Sequence, residues 1–175
     1  MQTNMLVVLI EVLVVYGAYI IITSKKDKNK ILSIFNKYFY QCEYGKVIEE
    51  LSKINKRNLA YDNAISIDVC KVNAYLMLEK YEQAKVIVDL YRINYISLLK
   101  LGYYNILLAL YEQNYEKAKS LNTKFQNIKD SSIVLQKQIA NELLNIYYNK
   151  PVNTNIIKQS TFPIIQRLLD KATKP

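Results

Sequence analysis

Histidine is missing from this chain altogether. That removes the commonest general acid–base group and the commonest metal ligand. Tryptophan is also absent, and there are only three glycines and three prolines in 175 residues. So few breakers favour long helices joined by short turns. The two cysteines, Cys42 and Cys70, stand far apart with no CxxC pairing, which leaves no zinc or redox motif and fits thiols that act as small hydrophobes. Neither a metal nor a cofactor is expected. Arginine is scarce too: of 24 basic residues only Arg57, Arg92 and Arg167 are not lysine. A nucleic-acid reader would favour Arg for its bidentate contacts.

What the chain has in quantity is Ile, Lys, Asn and Tyr, at 22, 21, 17 and 16 residues, the set that AT-rich codons encode. Its net charge of +9 is therefore partly compositional. Such a charge is compatible with an anionic membrane surface, an acidic partner or nucleic acid.

Residues 5–22 are the longest apolar run, with twelve Leu, Ile and Val and a single charge, Glu11. Eighteen helical residues cover roughly 27 Å, close to a bilayer core of about 30 Å. An acidic residue costs up to roughly 3 kcal/mol at mid-membrane, whereas twelve aliphatic residues contribute roughly 4–7 kcal/mol in favour. The apolar sum wins, and a transmembrane helix is expected over 5–23 after a short extracytoplasmic segment, 1–4. An N-terminus without Lys or Arg, and no small-residue cleavage site around Tyr16–Tyr19, argue against a signal peptide. Lys25, Lys26, Lys28 and Lys30 follow in a basic juxtamembrane segment, 24–30. By the positive-inside rule they place the rest of the chain in the cytoplasm, with the four lysines against lipid headgroups. Glu11 has two readings, an intramembrane contact for a partner helix or a carboxyl near the outer edge.

The remainder repeats. KYEQAK at 80–85 returns as NYEKAK at 114–119, so Tyr81 and Tyr115, like Ala84 and Ala118, are 34 positions apart. Tyr44 opens a weaker copy upstream, and Tyr148 falls 33 after Tyr115. A period near 34 in helical sequence marks a helix–turn–helix array. Apolar residues recur at i, i+3, i+4 and i+7 on both sides of each motif: Phe35, Tyr38, Phe39 and Cys42 before a turn, Ala84, Ile87, Val88 and Tyr91 after one. The pattern predicts helix pairs at 29–42 with 44–56, 64–79 with 82–94, and 97–112 with 115–128. A long helix follows at 131–149, then a polar connection at 151–162. A last helix begins at Ser160-Thr161-Phe162-Pro163, where a polar cap precedes proline. In each unit a small Ala one turn into the second helix admits its neighbour, and the preceding Tyr fills the corner.

On the Tyr-x-x-Ala motifs, the period and the helix faces, residues 31–149 resemble the tetratricopeptide repeat family, with 150–175 as a connection and capping helix. The chain departs from the family in having Val72 and Leu107 where a small residue usually sits mid-way along the first helix, and no Pro after Arg92 or Phe125. The layout also looks like bacterial membrane-anchored repeat proteins that serve as assembly or quality-control scaffolds. The resemblance implies an all-α solenoid of helix hairpins that binds a peptide or protein partner along the face lined by the first helices. It places Lys71, Asn73, Asn105, Lys137 and Asn141 on that groove, where amides would hold a peptide backbone and lysines a carboxylate.

These observations favour a membrane-anchored, single-pass interaction scaffold over an enzyme. Carboxylates such as Glu49 and Glu50, or Glu79 and Glu82, fall where a solvated helix or turn puts them. The alternatives are a structural subunit of a larger membrane complex held through the anchor and Glu11, or a basic nucleic-acid-binding repeat protein.

Overall fold

A computed structural model describes the backbone of residues 2–173 and the side chains of residues 14–170. The described chain is all-α, built from helix hairpins stacked side by side, as the 34-residue period predicts. In order the helices are α1 (Gln2–Phe39), α2 (Tyr44–Ser52), α3 (Tyr61–Met77), α4 (Tyr81–Asp89), α5 (Tyr95–Tyr111), α6 (Tyr115–Gln126), α7 (Val134–Tyr147), α8 (Thr154–Ile157) and α9 (Pro163–Thr173). Short 3-10 turns at Lys56–Asn58 and Ser131–Ile133 precede α3 and α7. The second helices are shorter than expected, α2 ending at Ser52 and α4 at Asp89. The polar connection at 151–162 carries α8.

No break separates the expected anchor, the lysine segment and the first repeat helix, because α1 runs through all three for 38 residues. Among the described residues no helix is long and apolar enough to cross a membrane. The membrane-crossing element expected over 5–23 is therefore not found among them. Its first part, Glu11 included, lies outside the residues whose side chains are described. From Val14 to Ile22 most side chains are exposed, Ile21 at 69 % and Ile22 at 66 %.

Each first helix ends in the same way, and without glycine. Cys42, Glu79, Gln113 and Asn149 adopt left-handed backbone, with φ of 58°, 57°, 61° and 52°. In each turn the next N–H reaches back five residues, as in Lys80 N to Tyr75 O at 2.9 Å and Asn114 N to Ala109 O at 2.8 Å. The left-handed residue donates three back, as Gln113 N does to Leu110 O at 3.0 Å. This is the Schellman closure, which satisfies the last carbonyls of the helix and turns the chain back on itself. Tyr44, Tyr81 and Tyr115 each stand two residues beyond it. At the fourth turn that place belongs to Pro151, so Tyr148 is not the counterpart of Tyr115, and no full second helix follows.

The starts of the elements explain part of the asparagine content. The side chains of Asn55, Asn94, Asn114 and Asn153 all accept from a backbone N–H at an N-terminus. Asn94 and Ser97 form a reciprocal capping box, both bonds at 2.9 Å.

Two cores share α3. Ile67, Cys70 and Ala74 pack with Ile31, Val47 and Leu51 of α1 and α2, whereas Ile65, Val72 and Leu76 join the larger core that runs to α9. Ala84 and Ala118 are fully buried, as a close helix approach requires. The corner tyrosines pack on first-helix aromatics: Tyr81 on Tyr111 at 4.5 Å, Tyr115 on Tyr147 at 4.8 Å and Tyr44 on Phe39 at 5.1 Å between centroids. The close approach between α5 and α6 falls at Gly102 rather than at Leu107. A Cβ there would come within 2.8 Å of the Phe125 ring.

One buried carboxylate ties the second hairpin to the connection that precedes it and to the segment that follows α4. Asp68, on α3, accepts from Lys56 Nζ at 2.8 Å and from the Tyr91 hydroxyl at 2.5 Å. Burial, and then the Asp68 carboxylate, push the Tyr91 phenol above its ordinary range.

Two predictions follow from these features. Gln113→Gly removes the left-handed penalty at an exposed position and should stabilise the fold by about 1 kcal/mol. The check is a higher urea midpoint at unchanged slope. Asp68→Ala strips Tyr91 and Lys56 of their shared acceptor and should cost about 1–3 kcal/mol in the same assay. An unchanged midpoint would mean that the contact contributes nothing.

Candidate functional site

The first helices α3 and α5 run parallel. Lys100 reaches Asp62 at 2.7 Å and Ser66 at 2.8 Å near their starts, and one turn further on Tyr104 meets Asn73. With α7 alongside, they form the face on which an array of this kind would receive a ligand. That face is already occupied. Helix α9 packs against α3, α5 and α7 together.

The seat of α9 is apolar at its centre. Ile164 and Leu168 are fully buried and Ile165 nearly so, all three in the main core. An amphipathic helix buries such a stripe because three aliphatic side chains leaving water contribute roughly 1.5–3 kcal/mol each before ordering costs. Polar contacts fix its direction. Before the helix, Phe162 meets the edge of Tyr104 at 6.0 Å, and Tyr104 is held by Asn73. Along it, the Tyr147 hydroxyl donates to Leu168 O at 3.2 Å. On its outer side Arg167 Nε donates to Glu79 in the α3–α4 turn at 2.7 Å, with the guanidinium over the Tyr81 ring. This ion pair is half exposed, so it orients α9 more than it stabilises it.

The five groove residues expected from the resemblance do not converge. Asn73 lies at the α3–α5 contact, its amide donating to Tyr104 Oη at 2.9 Å and to Val69 O at 2.8 Å. Lys71 is half-buried, and desolvation holds its ammonium below the usual lysine range. Asn105 lines a small crevice with Val88, Tyr91 and Gly102, on the side of α5 that meets α4. Lys137 donates to Gln126 O at 3.0 Å and to Ile128 O, serving the C-terminal end of α6. Asn141 is exposed on α7. Asn73 and Asn105 are 32 positions apart, two short of the 34-residue period, so they do not occupy equivalent places on the equally long α3 and α5.

The residues that build the site instead are Tyr104, Phe162, Ile164, Arg167 and Leu168, with Glu79 across from them. The signal for α9 was present in Pro163-Ile164-Ile165 and Leu168, a half-apolar helix. Nothing in the pattern says which face it covers.

Beside the segment leading into α9 lies a cavity of about 150 Å³ bordered by Tyr103, Gln136, Ser160 and Phe162. Burial raises the Tyr103 phenol above its ordinary range. Elsewhere, no group of three or more Cys, Asp or Glu among the described residues could hold a metal ion.

Leu168→Ala should destabilise the fold by about 2–5 kcal/mol, the usual cost of emptying a fully buried leucine site. Hydrogen exchange should show α9 amides losing protection before those of α3 and α5. Equal loss across all three would mean that α9 is not a separable unit.

Compared with protein-family models, with curated proteins and with solved structures, the chain finds no match.

Proposed function

We propose that this chain is a membrane-anchored protein-interaction scaffold of tetratricopeptide type, whose recognition face is held by its own α9 until a partner helix replaces it. The observation that carries the proposal is the seating of α9 across α3, α5 and α7. A face shaped to take one amphipathic helix takes another of the same pattern, with apolar residues at the spacing of Ile164, Ile165 and Leu168 and a cation in the place of Arg167. Competition with a tethered helix lowers the apparent affinity for a partner, so only a well-matched or locally concentrated one engages. The anchor is the apolar stretch of α1 over 5–23, with Lys25, Lys26, Lys28 and Lys30 on the cytoplasmic side. Two features support it: the composition of that stretch and the exposure of Val14–Ile22.

The test is a fluorescent peptide of residues 159–173 added to the chain ending at residue 158, with circular dichroism to verify that the shortened chain is folded. The peptide should bind the shortened chain and bind the full chain far more weakly. Equal affinity for both would place the binding elsewhere, and no binding to the folded shortened chain would sink the proposal.

A further inference from the structure

The end of the repeat domain from which α1 projects is unlike the rest of its surface. Its level is set by Ser24 on α1, whose carbonyl accepts from the buried Asn63 amide at 2.8 Å, near the start of α3. N-terminal to Ser24 the helix leaves the domain. Tyr19, Ile20 and Thr23 border only an open cleft of about 620 Å³ against the loop Arg57, Asn58, Leu59 and Ala60.

At that same end the neighbouring hairpins present apolar side chains to solvent. Tyr61 opens α3, Leu90 closes α4, and Ile93, Tyr95 and Ile96 lead into α5. They are exposed at 48 %, 71 %, 52 %, 56 % and 37 %. They are neighbours in space as well as in chain order. Tyr61 packs on Tyr91 at 6.5 Å, and the Asn94 amide donates to the Tyr61 hydroxyl at 3.5 Å. Two of the chain's three arginines, Arg57 and Arg92, are exposed among them, and Lys25, Lys26 and Lys28 are exposed on α1 just inside. The acids nearby are engaged or withdrawn: Asp62 pairs with Lys100 at 2.7 Å, and Asp27 is half-buried at the cleft.

Isolated exposed apolar residues need no explanation, but five at one end, mixed with cations and tyrosines, do. A soluble partner is a poor match, because the apolar stretch of α1 emerges through the same plane. From Ser24 back to Val14 the helix extends about 15 Å beyond it. Any bilayer that receives Val14–Ile22 is brought against this end, where tyrosines and arginines suit the headgroup level and Leu90, Ile93 and Ile96 suit the acyl boundary.

We propose that this end is a second membrane contact, an interfacial face that docks the repeat domain on an anionic phospholipid surface. It rests on the reading that α1 enters a membrane, and adds that the domain lies against that membrane in one orientation. The hairpin turns at Cys42, Glu79 and Gln113 then point away from the lipid.

The full chain is tested in mixed phosphatidylcholine–phosphatidylglycerol vesicles that carry a nitroxide-labelled phospholipid with the nitroxide near the headgroups. One protein bears a fluorophore on native Cys42, which is exposed at the far end, while Cys70 is buried. The other bears it at position 93 through Ile93→Cys in a Cys42→Ser background. Ile93 is half exposed, so neither change should disturb the fold. Vesicle flotation is read on both. The expected result is loss of fluorescence at position 93 and none at Cys42, with the loss at 93 relieved by Arg57→Glu/Arg92→Glu. Flotation without quenching at 93 leaves the anchor standing and overturns the interfacial face. Equal quenching at both positions overturns the single orientation. Failure to float overturns the anchor and, with it, the docking.

Discussion

Helix α5 is the member on which the rest of the structure depends. Leu101, Tyr103, Ile106, Leu107, Leu108, Ala109 and Leu110 are all buried, so nearly its whole circumference is out of water from Leu101 onward. A helix apolar all round has to be surrounded, and no single hairpin can do that. Its neighbours supply the enclosure: α3 on one side, α4 and α6 behind, α7 on the other side and α9 in front. Gly102 allows α6 to come close through Phe125, and Tyr104 faces the lead into α9. The occupied groove thus has a physical origin. The first-helix face of α5 is too apolar to be left open.

That constraint bears on how such a module would work. An array whose recognition face is polar can wait open for a ligand. One whose face is apolar is covered at all times, by its own chain or by another, because exposed patches of that kind invite aggregation. The cover here is a helix at the chain's C-terminal side, reached through a connection capped by Asn153 and held to α7 by Glu142, which accepts from Asn153 N at 2.9 Å. Its ion pair with the body, Arg167 to Glu79, is exposed, whereas Ile164, Ile165 and Leu168 are buried.

The polar interior lies at the other end. Asp68 with Lys56 and Tyr91, and Asn63 with Ser24, lock the 56–60 loop, α4 and α1 onto α3. These are contacts between elements distant in sequence, and they gather at the end where α1 leaves the domain. The buried polar contacts thus gather where α1 leaves the body, whereas the face under α9 is closed by apolar burial.

The sequence by itself determined the helical class, the hairpin corners and the order of the units. It could do so because those properties are local: a 3.6-residue apolar period, a Tyr-x-x-Ala recurrence at 34 residues and a proline at the first position of α9 each act within a turn or two of chain. Ala84 and Ala118, which the motif singles out, are fully buried. The sequence did not reveal the left-handed turns at Cys42, Glu79 and Gln113, because glycine is the usual sign of that conformation and here non-glycine residues adopt it. Nor did it mark Asn55, Asn94, Asn114 and Asn153 as caps, since each is one Asn among many until the N–H that it accepts from is known. Only the tertiary structure decided that Asn105 turns toward α4, that Lys137 serves α6, and that α9 fills the face left open by α3, α5 and α7. Those outcomes depend on the rotation at which each helix enters the stack. That rotation is set by pairs such as Gly102 with Phe125 and Tyr104 with Phe162, whose members no periodicity links.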